Sequence, residues 1–378
     1  MRPAILALTE RTHAAAHHHL FPGDGLEAGG FFLCNQGAGK THQRLVVAEF
    51  VPAPHELSAR RVNHVVWPFA EYFSPERIDC IDEKGQSIVT VHSHPDGMDT
   101  FSGVDDGNDR ELFPAVNAWF DDDRINGAAI MLPDGRIVAR AVTDTAQFCP
   151  FRSVNVVGDC LSIWGPRPGR SQAEYAKKLC QTFGSGTLDR LRGMKVGVVG
   201  CSGTGSILIE LLVRNCIGEL VLVDDDTVEE KNLNRLVNIT LADAQAGTTK
   251  VDALAAAINR IGLGTKVDAH TALTDSPDVV AALIDCDVLF GCVDSAFGRY
   301  HLDCLASAYL IPYFDVGVRI DADGTGAITV AVAAAHYVHP EGSSLLSRGV
   351  YNSDEVSAEN MKRSDPDRYE EQRAARYL

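Results

Sequence analysis

Twelve residues, KVGVVGCSGTGS from Lys195 to Ser206, constrain the fold of this chain more than any other stretch. Lys195 to Val199 reads as a short buried parallel strand, Gly200 to Gly205 as a glycine-rich turn, and Ser206 to Cys216 as the helix leaving it. That succession makes a phosphate cradle: glycines let the backbone approach a phosphate, and the N–H groups opening the helix add donors and the positive end of its dipole. The spacing Gly200, Gly203, Gly205, with Ser202 between, is not a strict GxGxxG. Taken alone, the turn fits an NAD-type fold or a plain tight turn equally well.

Beyond the cradle, strand and helix alternate. Leu220 to Asp224, Lys266 to His270, Asp287 to Val293 and Pro312 to Val316 read as strands, with helices near Lys250 to Ile261, Ser276 to Ile284 and Ala296 to Ala308. Continuous Val/Ile/Leu runs imply strands covered on both faces, hence a Rossmann-like, doubly wound, mostly parallel α/β sheet. Gly326 to Ala334 adds a late strand, and the charged tail from Asn352 reads as helical and peripheral.

The first half is of a different kind. Pro3 to His19 reads as an alanine-rich helix, Gly29 to Cys34 and Leu45 to Val51 as strands, and Pro68 to Phe73 and Glu76 to Lys84 as helix. Ser87 to His92 is a strand that delivers histidines into a polar loop, and Ile125 to Leu132 with Arg136 to Val142 flank the turn Pro133-Asp134-Gly135 as a hairpin. This is an α+β pattern. The expected division is a domain over 1–145, a linker over 146–170 punctuated by Pro150, Gly165, Pro166, Pro168 and Gly169, and a second domain over 171–378.

A chain of 378 residues is long enough for two such cores. With 34 basic against 51 acidic residues, its net charge of -17 argues against nucleic-acid binding and for protein or small-molecule partners. The ten cysteines form no CxxC pair, so reduced thiols and no disulfides are expected. No apolar run is long enough for a membrane span, and the expected location is cytoplasmic. The run His17 to His19 reads as a solvated helix face, and His42, His55 and His64 as surface or core histidines.

The loop His92-Ser93-His94-Pro95, followed by Ser102 and Asp105, is the first candidate site. Histidines at i and i+2 at a strand end can point both imidazoles at one ion, and Asp105 supplies an oxygen. Three protein ligands leave the fourth tetrahedral position for water, as in a catalytic zinc site. A base must still collect the proton of that water, and Glu27 is the candidate.

These residues closely resemble the JAB/MPN-type (JAMM) metallopeptidases, whose pattern is an upstream Glu, then HxHP, six residues and SxxD. Here six residues, Asp96 to Phe101, separate Pro95 from Ser102. The resemblance covers roughly residues 1–145. It implies the cytidine-deaminase-like layered fold of that family, zinc on His92, His94 and Asp105, Glu27 as general acid/base, and Ser102 as a donor to the oxyanion. Relatives of this fold cleave the peptide or isopeptide bond after the C-terminal glycine of ubiquitin-like proteins.

A second set resolves the glycine loop. Asp224 ends a strand 24 residues after Gly200, where a carboxylate can accept from a nucleotide ribose. Asn232-Leu233-Asn234-Arg235, Lys250 and Asp294 follow. Arg235 and Lys250 can neutralise a triphosphate and Asp294 can hold magnesium, so the set reads as ATP rather than a dinucleotide.

The ordered set looks like the adenylating domain of the ubiquitin-activating, ThiF-like superfamily, over about residues 170–335. The resemblance implies that a partner's C-terminal carboxylate attacks the ATP α-phosphate, with Gly200, Gly203, Gly205, Asp224, Asn232, Arg235, Lys250 and Asp294 as site residues and Asp226 near the magnesium. Family members often send an arginine into the partner subunit's ATP site from a segment before the first strand. Here Lys177 or Arg170 would have to serve, in a homodimer formed through this domain.

Thioester-forming relatives carry a cysteine after the last strands. This chain has none after Cys304, itself expected to be a core residue, and presents Ser344 and Ser347 in HPEGSSLLSRGVYN. A hydroxyl ionises far less readily than a thiol, which separates adenylation from the thioester step. The sequence thus points to a zinc peptidase fused to an adenylyltransferase. Its expected partners are a ubiquitin-like β-grasp modifier and a ubiquitin-conjugating-type enzyme. The alternatives are activation and thiocarboxylation of a sulfur-carrier protein, and an inactive scaffold that binds the modifier.

Overall fold

The computed structural model describes residues 2–57, 73–165 and 173–374. The chain divides into two units, Met1–Pro166 and Arg167–Leu378.

The first unit opens with β1 (Ala4–Thr9) and α1 (Glu10–Leu20). The expectation of a single helix from Pro3 is corrected here. Ala4 to Leu8 are buried, whereas Thr9 leaves the strand and caps α1 by accepting from the Thr12 N–H. An alanine-rich stretch therefore serves as a strand because it is covered on both faces, and the cap starts the helix. β2 (Gly29–Ala38), β3 (Gln43–Pro52), α2 (Pro75–Glu83), β4 (Ser87–Ser93) and α3 (Gly103–Asn117) follow. The hairpin is β5 (Gly127–Met131) with β6 (Ile137–Val142). Of the expected helix Pro68 to Phe73, residues 68–72 lie outside the described residues.

The expected linker 146–170 is also corrected. β7 (Phe148–Pro150), β8 (Ser153–Val157) and β9 (Leu161–Trp164) belong to the first sheet. β8 is wholly buried and pairs parallel with β1, so this stretch completes the domain. Pro150 and Gly158 punctuate strands only three to five residues long, too short for their alternation to stand out. Among the described residues the sheet order is β7-β6-β5-β4-β2-β3-β1-β8-β9. Alternating side chains feed two cores. Leu6, Leu8, Phe32 and Val89 pack with Ala16 and Leu20 of α1, while Phe31, Leu33 and Ile88 pack with Ile81 of α2 and Phe113 and Val116 of α3. The result is an α/β/α layering.

The second unit opens with α4 (Lys177–Phe183) and α5 (Ser185–Gly193). Then come β10 (Lys195–Val199), α6 (Gly203–Arg214), β11 (Glu219–Val223), α7 (Leu241–Gln245), α8 (Lys250–Ile261) and β12 (Lys266–His270). α9 (Pro277–Ile284), β13 (Val288–Gly291), α10 (Ala296–Tyr309), β14 (Tyr313–Ala322) and β15 (Ile328–Val338) complete the sheet. Its order is β12-β11-β10-β13-β14-β15, parallel up to β14 and antiparallel only at β15. Strand order reverses between β10 and β13, and a ligand crevice opens where two such strands send their helices to opposite faces. The helices do so: Ile209 of α6 and Leu254 of α8 cover one face, Leu283 of α9 and Leu302 of α10 the other.

The tail forms α11 (Ser353–Ser364) and α12 (Pro366–Ala374). It is less peripheral than expected, because Glu359 of α11 accepts from the N–H groups of Ala296 (3.1 Å) and Phe297 (2.8 Å), which open α10. All ten cysteines are free thiols.

Candidate functional site

Among the described residues, each unit carries one candidate site. In the first, β4 pairs antiparallel with β2, setting Gly29 opposite His92. The ladder runs on for one more step, since the Ser93 N–H donates to Ala28 O (2.9 Å) and the Ala28 N–H to Ser93 Oγ (2.9 Å). Glu27 therefore stands two residues before β2 at this end of the ladder, and its negative charge is one of the influences that raise the His94 pKa. From the other side comes Asp105, fixed in the first turn of α3 by a reciprocal cap. The Ser102 N–H donates to Asp105 Oδ2 (2.6 Å) and the Asp105 N–H to Ser102 Oγ (3.2 Å).

His92, His94 and Asp105 converge. The two Nε2 atoms are 3.1 Å apart, His92 Nε2 lies 3.2 Å from Asp105 Oδ1, and His94 Nε2 lies 3.5 Å from Oδ2. A tetrahedral zinc with bonds of about 2.0–2.1 Å sets its ligand atoms roughly 3.3 Å apart, so the donor set fits that ion in chemistry and spacing. His94 Nδ1 lies 2.8 Å from Met98 O, which orients its Nε2 to the centre. Burial pushes the Asp105 carboxyl up, but hydrogen bonds from His92 and His94 outweigh it and hold the group well below the usual carboxylate range. Burial pulls His94 down, yet its contacts with Asp105 and Met98 O and the nearby charge of Glu27 leave it raised. Among the described residues, this trio alone groups His, Cys, Asp or Glu side chains closely enough to hold a metal ion.

Of the histidine run His17 to His19, His18 is exposed as expected, while His17 and His19 are half-buried and, with His13, bond backbone carbonyls. His13 Nε2 lies 2.7 Å from Gly135 O, His17 Nε2 3.1 Å from Pro133 O, and His19 Nε2 3.1 Å from Gly29 O. These rings tie the helix to the backbone on either side of the ligand loop. His55 packs its ring against that of His19 at a tilt of 31°, and His64 lies outside the described residues.

In the second unit a cleft of about 1060 Å³ opens over the ends of β10, β11 and β13. Its lining includes Gly200, Gly203, Asp224, Asp226, Arg235, Lys250 and Asp294. Gly200 holds φ +88°, and a Cβ there would meet Cys292 O at 2.5 Å; one on Gly205 would meet Gly200 O at 1.9 Å. Gly205 thus closes the turn, while Gly203 faces the side chain of Arg235. Ser202 stands at the N-cap of α6 without a side-chain capping bond.

Asp224 Oδ2 accepts from the Cys201 N–H (2.7 Å) and Oδ1 from the Asp226 N–H (3.1 Å). The expected ribose acceptor is therefore also the tie between β11 and the glycine loop. Lys250, buried at the start of α8, reaches Asp224 Oδ1 at 3.3 Å and Asp226 Oδ2 at 2.5 Å. Burial lowers its affinity for a proton, but the two carboxylates more than restore it, so the ammonium stays charged. Burial raises the Asp224 carboxyl despite those partners.

Several expected contacts move. Asn232 is buried and its Oδ1 accepts from the Glu229 N–H (3.0 Å), shaping the turn that presents Asn234 and Arg235; Asn234 lines the cleft in its place. Arg299 is a lining cation that sequence reading missed, held by Asp315 at 3.2 Å. Its signal was its position five residues beyond Asp294, one turn into α10. Lys177 is exposed, pairs with Glu174 at 3.3 Å and is not in the lining, and Arg170 lies outside the described residues.

Neither Ser344 nor Ser347 lines the cleft. The two bond each other in a turn, with the Ser347 N–H donating to Ser344 Oγ (3.1 Å) and the Ser347 hydroxyl to Ser344 O (2.9 Å). Cys304, expected in the core, is exposed on α10. Cys292 does line the cleft, and burial together with the Asp315 charge pushes its thiol up to about 12. No helix among the described residues is long and apolar enough to cross a membrane.

The sequence profile of the ThiF family matches residues 175–364, and that of prokaryotic homologs of the JAB domain matches residues 9–136. "Ubiquitin-like modifier-activating enzyme 5" of Drosophila ananassae is 32% identical over 146 residues, 35% of this chain and 36% of the relative. Its Bombyx mori counterpart is 32% identical over 145 residues, again 35% and 36%. The alignment thus spans about a third of these curated relatives. The solved structure of E. coli MccB with ATP aligns with a TM-score of 0.36 and 19% identity, over 43% of this chain and 53% of that one.

Proposed function

Since this chain belongs to the ThiF family and carries a JAB/MPN-type domain ahead of the ThiF-like one, we propose that it is a bifunctional enzyme of a ubiquitin-like modifier system. The second unit activates the modifier's C-terminus with ATP, and the first cleaves peptide or isopeptide bonds to mature or release the modifier. The observation that carries this reading is the gathering of the glycine loop, Asp224, Arg235, Lys250 and Asp294 around one cleft.

In the adenylation step, a carboxylate oxygen of the modifier's last residue attacks the α-phosphorus of ATP. The bond from that phosphorus to the bridging oxygen breaks and pyrophosphate leaves. Arg235 and Lys250 face the charge that builds on the phosphates, and backbone N–H groups at the start of α6 add donors. Asp294 would hold magnesium, which supplies further neutralisation of the triphosphate. With Ser344 and Ser347 outside the lining and the Cys292 thiol protonated at neutral pH, the product stays as a bound adenylate until an external nucleophile takes it, such as a conjugating enzyme's cysteine.

In the first unit His92, His94 and Asp105 would hold zinc, which supplies Lewis acidity and a more acidic water. Glu27 takes the proton of the attacking water and returns it to the leaving amine. The Ser102 oxygen accepts from the Asp105 N–H, and its hydroxyl proton is the donor proposed for the oxyanion.

The test is ATP–pyrophosphate exchange dependent on a β-grasp protein. Lys250→Ala should lower exchange by about a hundredfold or more, since a charge contact made in the transition state is worth roughly 3 kcal/mol, and should leave cleavage of a modifier fusion unchanged. NAD binding without exchange would return the domain to a dehydrogenase reading.

A further inference from the structure

Arg140 lies on β6, outside the ligand motif, and is buried. Its guanidinium sits between two aromatic rings, 3.7 Å from the centroids of both Phe101 and Phe148. In its plane it donates from Nε (3.1 Å) and Nη2 (2.6 Å) to Asp109 Oδ2, and from Nη1 (2.6 Å) to Asp106 Oδ1. Phe101 immediately precedes Ser102, Asp106 immediately follows Asp105, and Asp109 stands one turn below Asp105 on the same face of α3. One side chain therefore grips the chain before, after and beneath the carboxylate of the ligand trio.

The cap formed by Ser102 and Asp105 fixes the start of the helix but not its position against the sheet. That position is what sets Asp105 at 3.2 Å from His92 and 3.5 Å from His94, and Arg140 is the charged link from the sheet to this turn. A planar fork can satisfy two carboxylates and stack on rings at once, which an ammonium cannot do.

We propose that Arg140 is the positioning residue of the metal site, locking the first turn of α3 so that Asp105 meets the two histidines in ligand geometry. This rests on the zinc reading of His92, His94 and Asp105. Groups that orient a metal ligand typically alter affinity by about ten- to a hundredfold when removed.

The experiment compares the full chain with Arg140→Lys and with Asp106→Asn, a milder change at a partly exposed carboxylate. Zinc affinity is measured by chelator competition, the visible spectrum is recorded with cobalt(II) in place of zinc, and the melting temperature is taken for the metal-free proteins. Zinc affinity should fall about ten- to a hundredfold in Arg140→Lys and less in Asp106→Asn. The cobalt bands should shift in both, with metal-free Asp106→Asn melting like the parent. Should Arg140→Lys fail to fold, Asp106→Asn carries the test. Parental zinc affinity, or an unchanged cobalt spectrum, in a folded variant overturns the proposal. A parent chain that binds no zinc overturns the metal reading itself, a distinct result.

Discussion

Glu27 shows what the amino-acid string specifies at the scale of one residue. Its nearness to the ligand loop follows from strand pairing, because the β2–β4 ladder continues through Ala28 and Ser93, and its charge is felt at His94. Glu27→Gln keeps the shape and removes the proton acceptor. Cleavage of a modifier fusion should fall by about 10²–10⁴ while the zinc content holds at about one per chain. Parental cleavage by the variant would show that another group moves the proton. The convergence of His92, His94 and Asp105 is legible because the three residues lie within 14 positions of one another, and a strand end and a capped helix start bring such residues together. Asn232 and Asn234 are not separable in the sequence, since both occur in one short segment and only the folded turn decides which is buried against Glu229. Arg140 and Glu359 give no local signal. Their hydrogen-bond partners stand 31 to 34 and 62 to 63 positions away, distances over which sequence pattern carries no geometry.

Among elements, the strands and helices after the cradle read in their right order because buried parallel strands leave apolar runs and caps mark helix starts, as Thr249 does before α8 and Ser295 before α10. By contrast, α6 opens at Gly203, three residues inside the expected turn and without a side-chain cap. The strands that misread are those whose meaning is supplied by neighbours. β1 passes for helix since alanine and leucine fit either state, and β8 escapes notice since five residues between Arg152 and Gly158 carry little periodicity. A first-domain fragment ending at Thr145 would lack β8 and leave the buried edge of β1 unpaired. Open apolar edges invite association. That fragment should elute as aggregate on size-exclusion chromatography, while one ending at Pro166 elutes as a discrete species that takes up zinc. Equal behaviour of the two would show that β8 is dispensable.

Across the whole molecule, two sheets with separate cores give each candidate site its own scaffold. Strand order reversal puts the glycine loop and Asp294 on either side of one crevice; the continuous apolar runs of the sequence imply the parallel sheet but not its strand order. In the first sheet, β1 lies between β3 and β8, so it gains its second neighbour only with residues 153–157, long after β3. At about 5–20 residues per second, the roughly 105 residues between the ends of β3 and β8 take about 5–20 seconds, during which β1 has one edge open. Chains arrested on the ribosome with residue 145 emerged should be clipped within residues 4–9 by a brief protease pulse. With residue 166 emerged they should resist, so the cell's burden of guarding this protein falls on the interval before β8 appears.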